Sequence, residues 1–153
     1  MRIERILEIN DDLGGQMLDL IETIDDEDMN VDAFIRYFVS SLDTIGVFGA
    51  FDGDKLQAIA YLEPPTEIYP KRAYLFIAAA YPGTPPAVSK ELFNVSNQWA
   101  IDQGATYLWG WTARNPRALN RLYNFEVCQE KQVVCPLVGD DHLKIKRDAR
   151  YKK

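Results

Sequence analysis

Residues 78–93 read AAAYPGTPPAVSKELF and carry the chain from a predicted strand into a predicted helix. The strand covers residues 72–81, which are apolar almost throughout, so we expect it to be central and buried on both faces. Pro86 suits the first turn of the helix, where a missing N–H matters least, and Gly104 is a typical stop after about Gln103. A small-residue turn between a strand and a helix N-terminus is also the layout of a loop that binds phosphate. A plain connection without a ligand is the alternative.

Two further helices are predicted before this stretch, after a short first strand within residues 3–9. Asp11 or Asp12 can cap the first helix, because a short acidic side chain accepts hydrogen bonds from the free N–H groups of the first turn. Asn30 can cap the second helix in the same way. Apolar residues recur at helical spacing behind each cap, which gives each helix one face to bury.

The remaining segments complete an alternation of helices and strands. They are two strands at residues 45–51 and 56–63 joined by the turn DGDK, a strand at 105–113, a short helix at 115–123 and a closing hairpin. The predicted order is β-α-α-β-β-β-α-β-α-β-β. Helices that alternate with a mixed sheet define an α/β protein.

Length and composition indicate one domain. The 153 residues, 47% of them hydrophobic, are enough to fill a single core, and we assign residues 1–142 to the domain and 143–153 to a basic C-terminal tail. No apolar run approaches the ~20 residues that cross a bilayer, and charges interrupt the N-terminus, unlike a signal peptide. Two cysteines and one histidine suit neither a disulfide framework nor a metal site. We therefore expect a soluble cytoplasmic protein with no metal and no membrane partner.

The charge is placed unevenly along the chain. Residues 1–50 hold twelve acidic and three basic side chains, whereas residues 143–153 hold six basic and one acidic. An acidic body does not suit nucleic acid, whose binding depends on neutralising phosphates. It favours cationic partners such as amines.

Two motifs, together with the order of elements, resemble the GNAT superfamily of acyl-CoA-dependent N-acyltransferases. The first is the strand–turn–helix of residues 72–104, which ends in WAIDQGA, and the second is NPRALNRLYNFEV at 115–127. The resemblance covers residues 1–138. It implies a mostly antiparallel sheet flanked by helices, acetyl-CoA or another acyl-CoA as co-substrate, and a slot for the pantetheine between the strands at 72–81 and 105–113.

The resemblance also implies a set of cofactor-binding residues. Ala87-Val88-Ser89 falls on the Gly-x-Gly/Ala of the family's phosphate loop, where Ala87 and Ser89 occupy the small positions, and Thr84 lies near its Arg/Gln position. The full implied set is Ala79, Ala80, Tyr81, Gly83, Thr84, Ala87, Val88, Ser89, Lys90 and Asn115. The loop departs from the family pattern because Pro85 and Pro86 remove two potential N–H donors.

Acyl transfer to an amine needs a base, a polarised carbonyl and a proton donor for the leaving thiolate. Backbone N–H groups around Ala79–Tyr81 can polarise the carbonyl. Glu63, at the end of its strand, is the first candidate for the base, and Glu67 is the second; a solvated loop carboxylate is the alternative for each. Tyr123 or Tyr81 is the candidate acid. The family's tyrosine position is occupied by Asn120, so Tyr123 acts only if the helix end is shifted.

Two functions fit these observations. The first is an N-acyltransferase that moves an acetyl or other acyl group from acyl-CoA to a small amine or a protein amine by direct attack. The second is a catalytically inactive acyl-CoA-binding or structural module of the same fold, for instance in a phage-associated assembly. A homodimer is compatible with either function.

Overall fold

The structure of the protein is a computed structural model that describes residues 1–24 and 29–110. Its elements are β1 (Arg2–Arg5), α1 (Asp11–Glu22), α2 (Val31–Ser41), β2 (Gly46–Asp52), β3 (Lys55–Glu63), β4 (Arg72–Ala80), α3 (Pro86–Asp102) and β5 (Tyr107–Trp109). These eight elements follow the predicted order. The last predicted helix and the closing hairpin lie outside the described residues.

The five strands form one mixed sheet in the order β1-β2-β3-β4-β5. The pairs from β1 to β4 are antiparallel, and β5 runs parallel to β4. A parallel pair needs a long crossover, and α3 provides it. The predicted hairpin turn is confirmed, because Asp52 pairs with Lys55 and Gly53 between them has a φ of +61°. The expected α/β fold with a mostly antiparallel sheet is therefore confirmed.

Helices cover both faces of the sheet. The face toward α1 and α2 buries Met17 and Phe38 against Ile59 and Tyr61, and the face toward α3 buries a second cluster around Trp99. Consecutive residues of a strand point to opposite faces, which is why β3 supplies both cores. None of the described helices combines the length and apolar character that a membrane-crossing helix needs.

The helix ends differ from the sequence prediction at one point. Asn10 caps α1, and its Oδ1 accepts a hydrogen bond from the Leu13 N–H at 2.8 Å. The predicted caps, Asp11 and Asp12, are instead the first two helical residues, where their negative charge interacts favourably with the helix dipole. The predicted cap of α2 is confirmed, because Asn30 accepts from the Ala33 N–H at 3.0 Å. The observed cap of α1, Asn10, lies one residue before the first of the two predicted caps.

The prediction that β4 is buried on both faces is wrong. Its residues alternate between buried and accessible, and Phe76 is 42% exposed. Pairing with β3 passes from Tyr61 opposite Ile77 to Leu62 opposite Leu75, so Phe76 is an extra residue in a β-bulge. The physical reason for the exposure is that the described helices pack mainly against β2 and β3 and cover little of β4.

Candidate functional site

Within the described residues, the pairing of β4 with β5 extends as far as Tyr74 and Trp109. Gly110 still lies against β4, because a Cβ atom built on it would be 2.8 Å from the Leu75 carbonyl oxygen. From Phe76 to Ala80, the edge of β4 has no partner strand within residues 1–24 and 29–110. This edge would form the β4 side of the slot that the family resemblance implies; residues 111–113 on its other side lie outside the described residues.

The backbone of this edge offers fewer donors than predicted at its far end. The Tyr81 N–H donates to the Gln57 carbonyl at 3.0 Å, so it points toward β3. Backbone groups of successive strand residues alternate in direction, and Ala79 therefore shares the direction of Tyr81. The N–H groups of Ala80 and Ala78 point to the open edge.

The turn after β4 is small and approachable. Gly83 has a φ of +88°, which favours glycine, and no atom would lie within 4 Å of a Cβ built there. Thr84 closes the turn, since its N–H and its hydroxyl both donate to the Tyr81 carbonyl, at 3.1 and 2.7 Å. The Thr84 hydroxyl proton is thus already used within the turn.

The N-terminus of α3 has lost most of its free donors. A helix normally leaves its first four N–H groups without an intrahelical partner. Here Pro85 and Pro86 occupy two of these positions, and the Val88 N–H donates to the Pro85 carbonyl at 2.9 Å. Only the Ala87 N–H finds no acceptor in the described part of the chain.

These groups still fit an anion, in reduced number. The exposed Gly83 and Ala87 provide N–H groups, Ser89 provides a half-buried hydroxyl, and the exposed Lys90 provides an ammonium. A diphosphate of an acyl-CoA has room to approach the turn, because the backbone there is open. The start of α3 presents fewer backbone donors than a proline-free helix N-terminus.

Glu63 ends β3 as a half-buried carboxylate. Its Oε1 accepts hydrogen bonds from the Tyr61 hydroxyl and, at 3.2 Å, from the Tyr37 hydroxyl of α2. Burial raises the pKa of the Glu63 carboxyl above its usual range, and the bond from Tyr37 offsets part of the rise. Partial burial, followed by the charge of Glu63 and the bond to it, also raises the pKa of Tyr37. No lysine or arginine of the described residues forms an ion pair with Glu63.

An aromatic surface extends from this carboxylate across the sheet; its accessible rings are Phe34, Phe76, Tyr74 and Trp109, and the buried Tyr61 packs against Phe34 and Phe76. The Phe34 and Phe76 rings are stacked with centroids 5.3 Å apart, and the Phe76 and Tyr61 centroids are also 5.3 Å apart. Tyr74 joins Phe76 to Trp109, at 5.5 and 4.7 Å. Sequence reasoning missed this surface, although Tyr61 and Glu63, two residues apart in a strand, were bound to share a face.

The structure separates two of the predicted catalytic parts. Glu63 pairs with Tyr74 near the start of β4, whereas Ala80 is its last residue. At about 3.3 Å per residue, the six steps from Tyr74 to Ala80 span roughly 20 Å. A carbonyl polarised by Ala79–Tyr81 is therefore out of reach of Glu63. The backbone of Phe76, which the bulge leaves outside the β3–β4 register, lies much nearer to that carboxylate.

The other predicted site residues fall into two groups. Tyr81 is half-buried and packs against the core under α1 and α2, and Glu67 is exposed in the loop between β3 and β4. Asn115, Asn120 and Tyr123 lie outside the described residues.

A separate open cavity of about 350 Å³ lies at the opposite edge of the sheet. Arg2, Asp12, Gln16 and Asp54 are among its lining residues. Gln16 already donates to the Asp12 carboxylate and to the Asp54 carbonyl, each at 3.1 Å. Because β1 and β2 border it, the cavity is remote from the open edge of β4, and we do not assign it to the same site.

Comparison with solved structures places this architecture among acetyltransferases. A probable acetyltransferase covers 91% of this chain and is itself covered completely, with a TM-score of 0.67 and 17% identity. An aminoglycoside 6′-N-acetyltransferase from Acinetobacter haemolyticus matches with a TM-score of 0.69 and 14% identity, over 91% of this chain and all of that one. A predicted acetyltransferase with acetyl-CoA from Clostridium acetobutylicum matches with a TM-score of 0.67 and 14% identity, over 88% of this chain and 95% of that one.

No protein-family model and no curated protein matches the sequence. Identities of 14–17% with such complete coverage relate the chains through their backbone architecture. The chain has the fold of the GNAT acetyltransferases.

Proposed function

We propose that the protein is an N-acyltransferase that moves an acetyl or other acyl group from acyl-CoA to an amine by direct attack. One observation carries the proposal: on an acetyltransferase fold, a half-buried carboxylate without a described cationic partner, Glu63, lies opposite Tyr74, the last residue of β4 with a described pairing to β5. Such a carboxylate suits both the binding of an ammonium group and the acceptance of its proton.

The chain's own residues would divide the work along β4. The turn at Gly83 and the start of α3 at Ala87 would hold the diphosphate, and the edge from Ala80 back to Phe76 would carry the pantetheine arm. When bound there, acyl-CoA supplies a thioester that an amine can attack without a covalent enzyme adduct. The backbone of Phe76, at the bulge of β4, is the group proposed to polarise the carbonyl.

Proton transfer would involve two side chains. Glu63 takes the proton from the ammonium, and its raised pKa makes it a better acceptor than a solvated glutamate. The hydroxyls of Tyr37 and Tyr61 hold that carboxylate in place. Tyr123 is proposed to donate the proton that the leaving thiolate needs. The N–C bond forms as the C–S bond breaks, and the second proton that the nitrogen loses passes through solvent to restore Tyr123.

The second candidate function is an inactive acyl-CoA-binding or structural module. The observation that favours it is the loss of donors at Pro85 and Pro86, which weakens the diphosphate site. The two functions differ in turnover. Thiol release from acetyl-CoA in the presence of a panel of amines is the measurement that separates them.

The decisive variant is Glu63→Gln, which preserves shape and can still accept a hydrogen bond from Tyr37. We expect turnover to fall by roughly 10²-fold or more, the lower range for general acid–base catalysis. Glu67→Gln is the matched control, because that exposed loop carboxylate should leave turnover unchanged. Tyr123→Phe should give a similar fall with CoA affinity little altered. Equal activity of Glu63→Gln and the unmodified chain would contradict the role of Glu63.

A further inference from the structure

The Glu63 carboxylate has hydrogen-bonding capacity that the described residues leave unused. Its Oε1 accepts hydrogen bonds from the hydroxyls of Tyr37 and Tyr61, and its Oε2 accepts none from the described residues. A half-buried carboxylate with a free oxygen and no described cation matches an ammonium group, whose three N–H donors need such acceptors. The carboxylate by itself does not define the rest of the ligand that bears the ammonium group.

The aromatic surface supplies that information. Phe76 is 42% exposed and lies at the centre of the surface, within 5.5 Å of the ring centroids of Phe34, Tyr61 and Tyr74. Aromatic rings prefer offset or edge contacts with other flat rings. Glu63 pairs with Tyr74 across β3 and β4, so the carboxylate lies next to an accessible ring of the aromatic surface.

A positively charged side chain, Arg72, lies at the end of the aromatic surface that is farther from Glu63. The Arg72 guanidinium lies between the Tyr69 and Trp109 rings, 3.6 and 4.3 Å from their centroids. Its charge disfavours a second ammonium at that end. A ligand that follows the surface from Glu63 to Trp109 thus meets one negative charge, then rings, and then a positive charge.

We propose that the amine acceptor is an arylalkylamine: a single primary ammonium bound by Glu63, joined by a short chain to a flat ring that packs on Phe76. The proposal rests on the proposed acyltransferase function, and it names the acceptor class of that site. Polyamines and aminoglycosides are excluded as good acceptors, because they carry several ammonium groups and no flat aromatic ring.

Binding to the full chain without CoA tests the proposal independently of turnover. We would titrate 2-phenylethylamine by calorimetry, with butylamine as the ligand that keeps the charge and lacks the ring. 3-Phenylpropionate keeps the ring and reverses the charge, and kanamycin presents several ammonium groups. We expect 2-phenylethylamine to bind at least tenfold more tightly than the other three.

Variants then assign the binding to these residues. Glu63→Gln and Phe76→Leu should each weaken 2-phenylethylamine binding about tenfold or more, and Phe76→Leu keeps an apolar side chain so that the fold is preserved. Tyr107→Ala is the matched control, because Tyr107 is an exposed aromatic residue of β5 with no described ring contact. It should leave binding unchanged.

The outcomes separate the two proposals. Selective binding of 2-phenylethylamine without thiol release from acetyl-CoA would support the site and overturn the acyltransferase function. Thiol release with butylamine or kanamycin as efficient as with 2-phenylethylamine would overturn the acceptor class and leave the function standing. Absence of binding at millimolar 2-phenylethylamine, or full affinity in Phe76→Leu, would also overturn the site.

Discussion

The proline pair at the start of α3 leads to a prediction of improved cofactor binding. Pro86→Ala restores an N–H group at the first helical position, where it points out of the helix N-terminus. A hydrogen bond to a charged group contributes about 1.5–3 kcal/mol, and we take the lower end because position 86 is exposed. Since ~1.4 kcal/mol is tenfold in affinity, CoA should bind about tenfold more tightly.

The same substitution should lower the stability of the protein slightly. Proline at a compatible position restricts the unfolded chain, and its removal costs about 0.4–1 kcal/mol of the free energy of unfolding. If the substitution acted only by making the protein more rigid, CoA affinity and the free energy of unfolding should rise together. The expected combination of tighter CoA binding and lower stability therefore identifies the restored N–H group as the cause.

Calorimetry with CoA and with pantetheine is the assay. Pantetheine lacks the diphosphate, so its affinity should be the same for Pro86→Ala and the unmodified chain. Pro70→Ala, an exposed proline in the loop before β4, is the control variant and should change neither ligand's affinity. Unchanged CoA affinity in Pro86→Ala, or an equal gain for pantetheine, would refute the assignment of the diphosphate to the α3 N-terminus.

Three further predictions concern stability, each measured by urea unfolding. Gly46→Ala should cost about 1–3 kcal/mol, because its Cβ would lie 2.7–2.9 Å from the buried Trp99 ring; no loss would mean that the ring moves aside. Asn10→Ala should cost about 1 kcal/mol through loss of the cap on the Leu13 N–H, whereas Asn10→Asp should keep most of it; equal losses would argue against capping. The folded-state pKa of Glu63 is raised above its ordinary value of 4.5, so the folded state holds the proton longer and stability falls as pH rises from about 4.5 through the folded-state pKa. The stability of the unmodified chain relative to Glu63→Gln should fall over that range, and a pH-independent difference would contradict the burial of the charge.

Part of the candidate site could be read from the sequence because it depends on local chemistry. The turn after β4 and the start of α3 were predictable, since Gly83 favours a positive φ and Pro86 suits the first helical position. Glu63 could be proposed from its place at the end of a strand. Its partner Tyr37 could not, because it comes from a helix 26 residues earlier in the chain.

The element types, their order and the α/β class were determined by the sequence itself, through periodicity and through local signals such as Asn30 and Gly104. These features depend on neighbouring residues, whose spacing is visible in one dimension. Tertiary structure alone decided the bulge at Phe76, because the run RAYLFIAAA lacks an alternation that would set its register. It also decided that β5 pairs with the start of β4 and that the aromatic surface meets Glu63. Those features come from pairing between distant segments, and the energy of such pairing depends on contacts that no local pattern specifies.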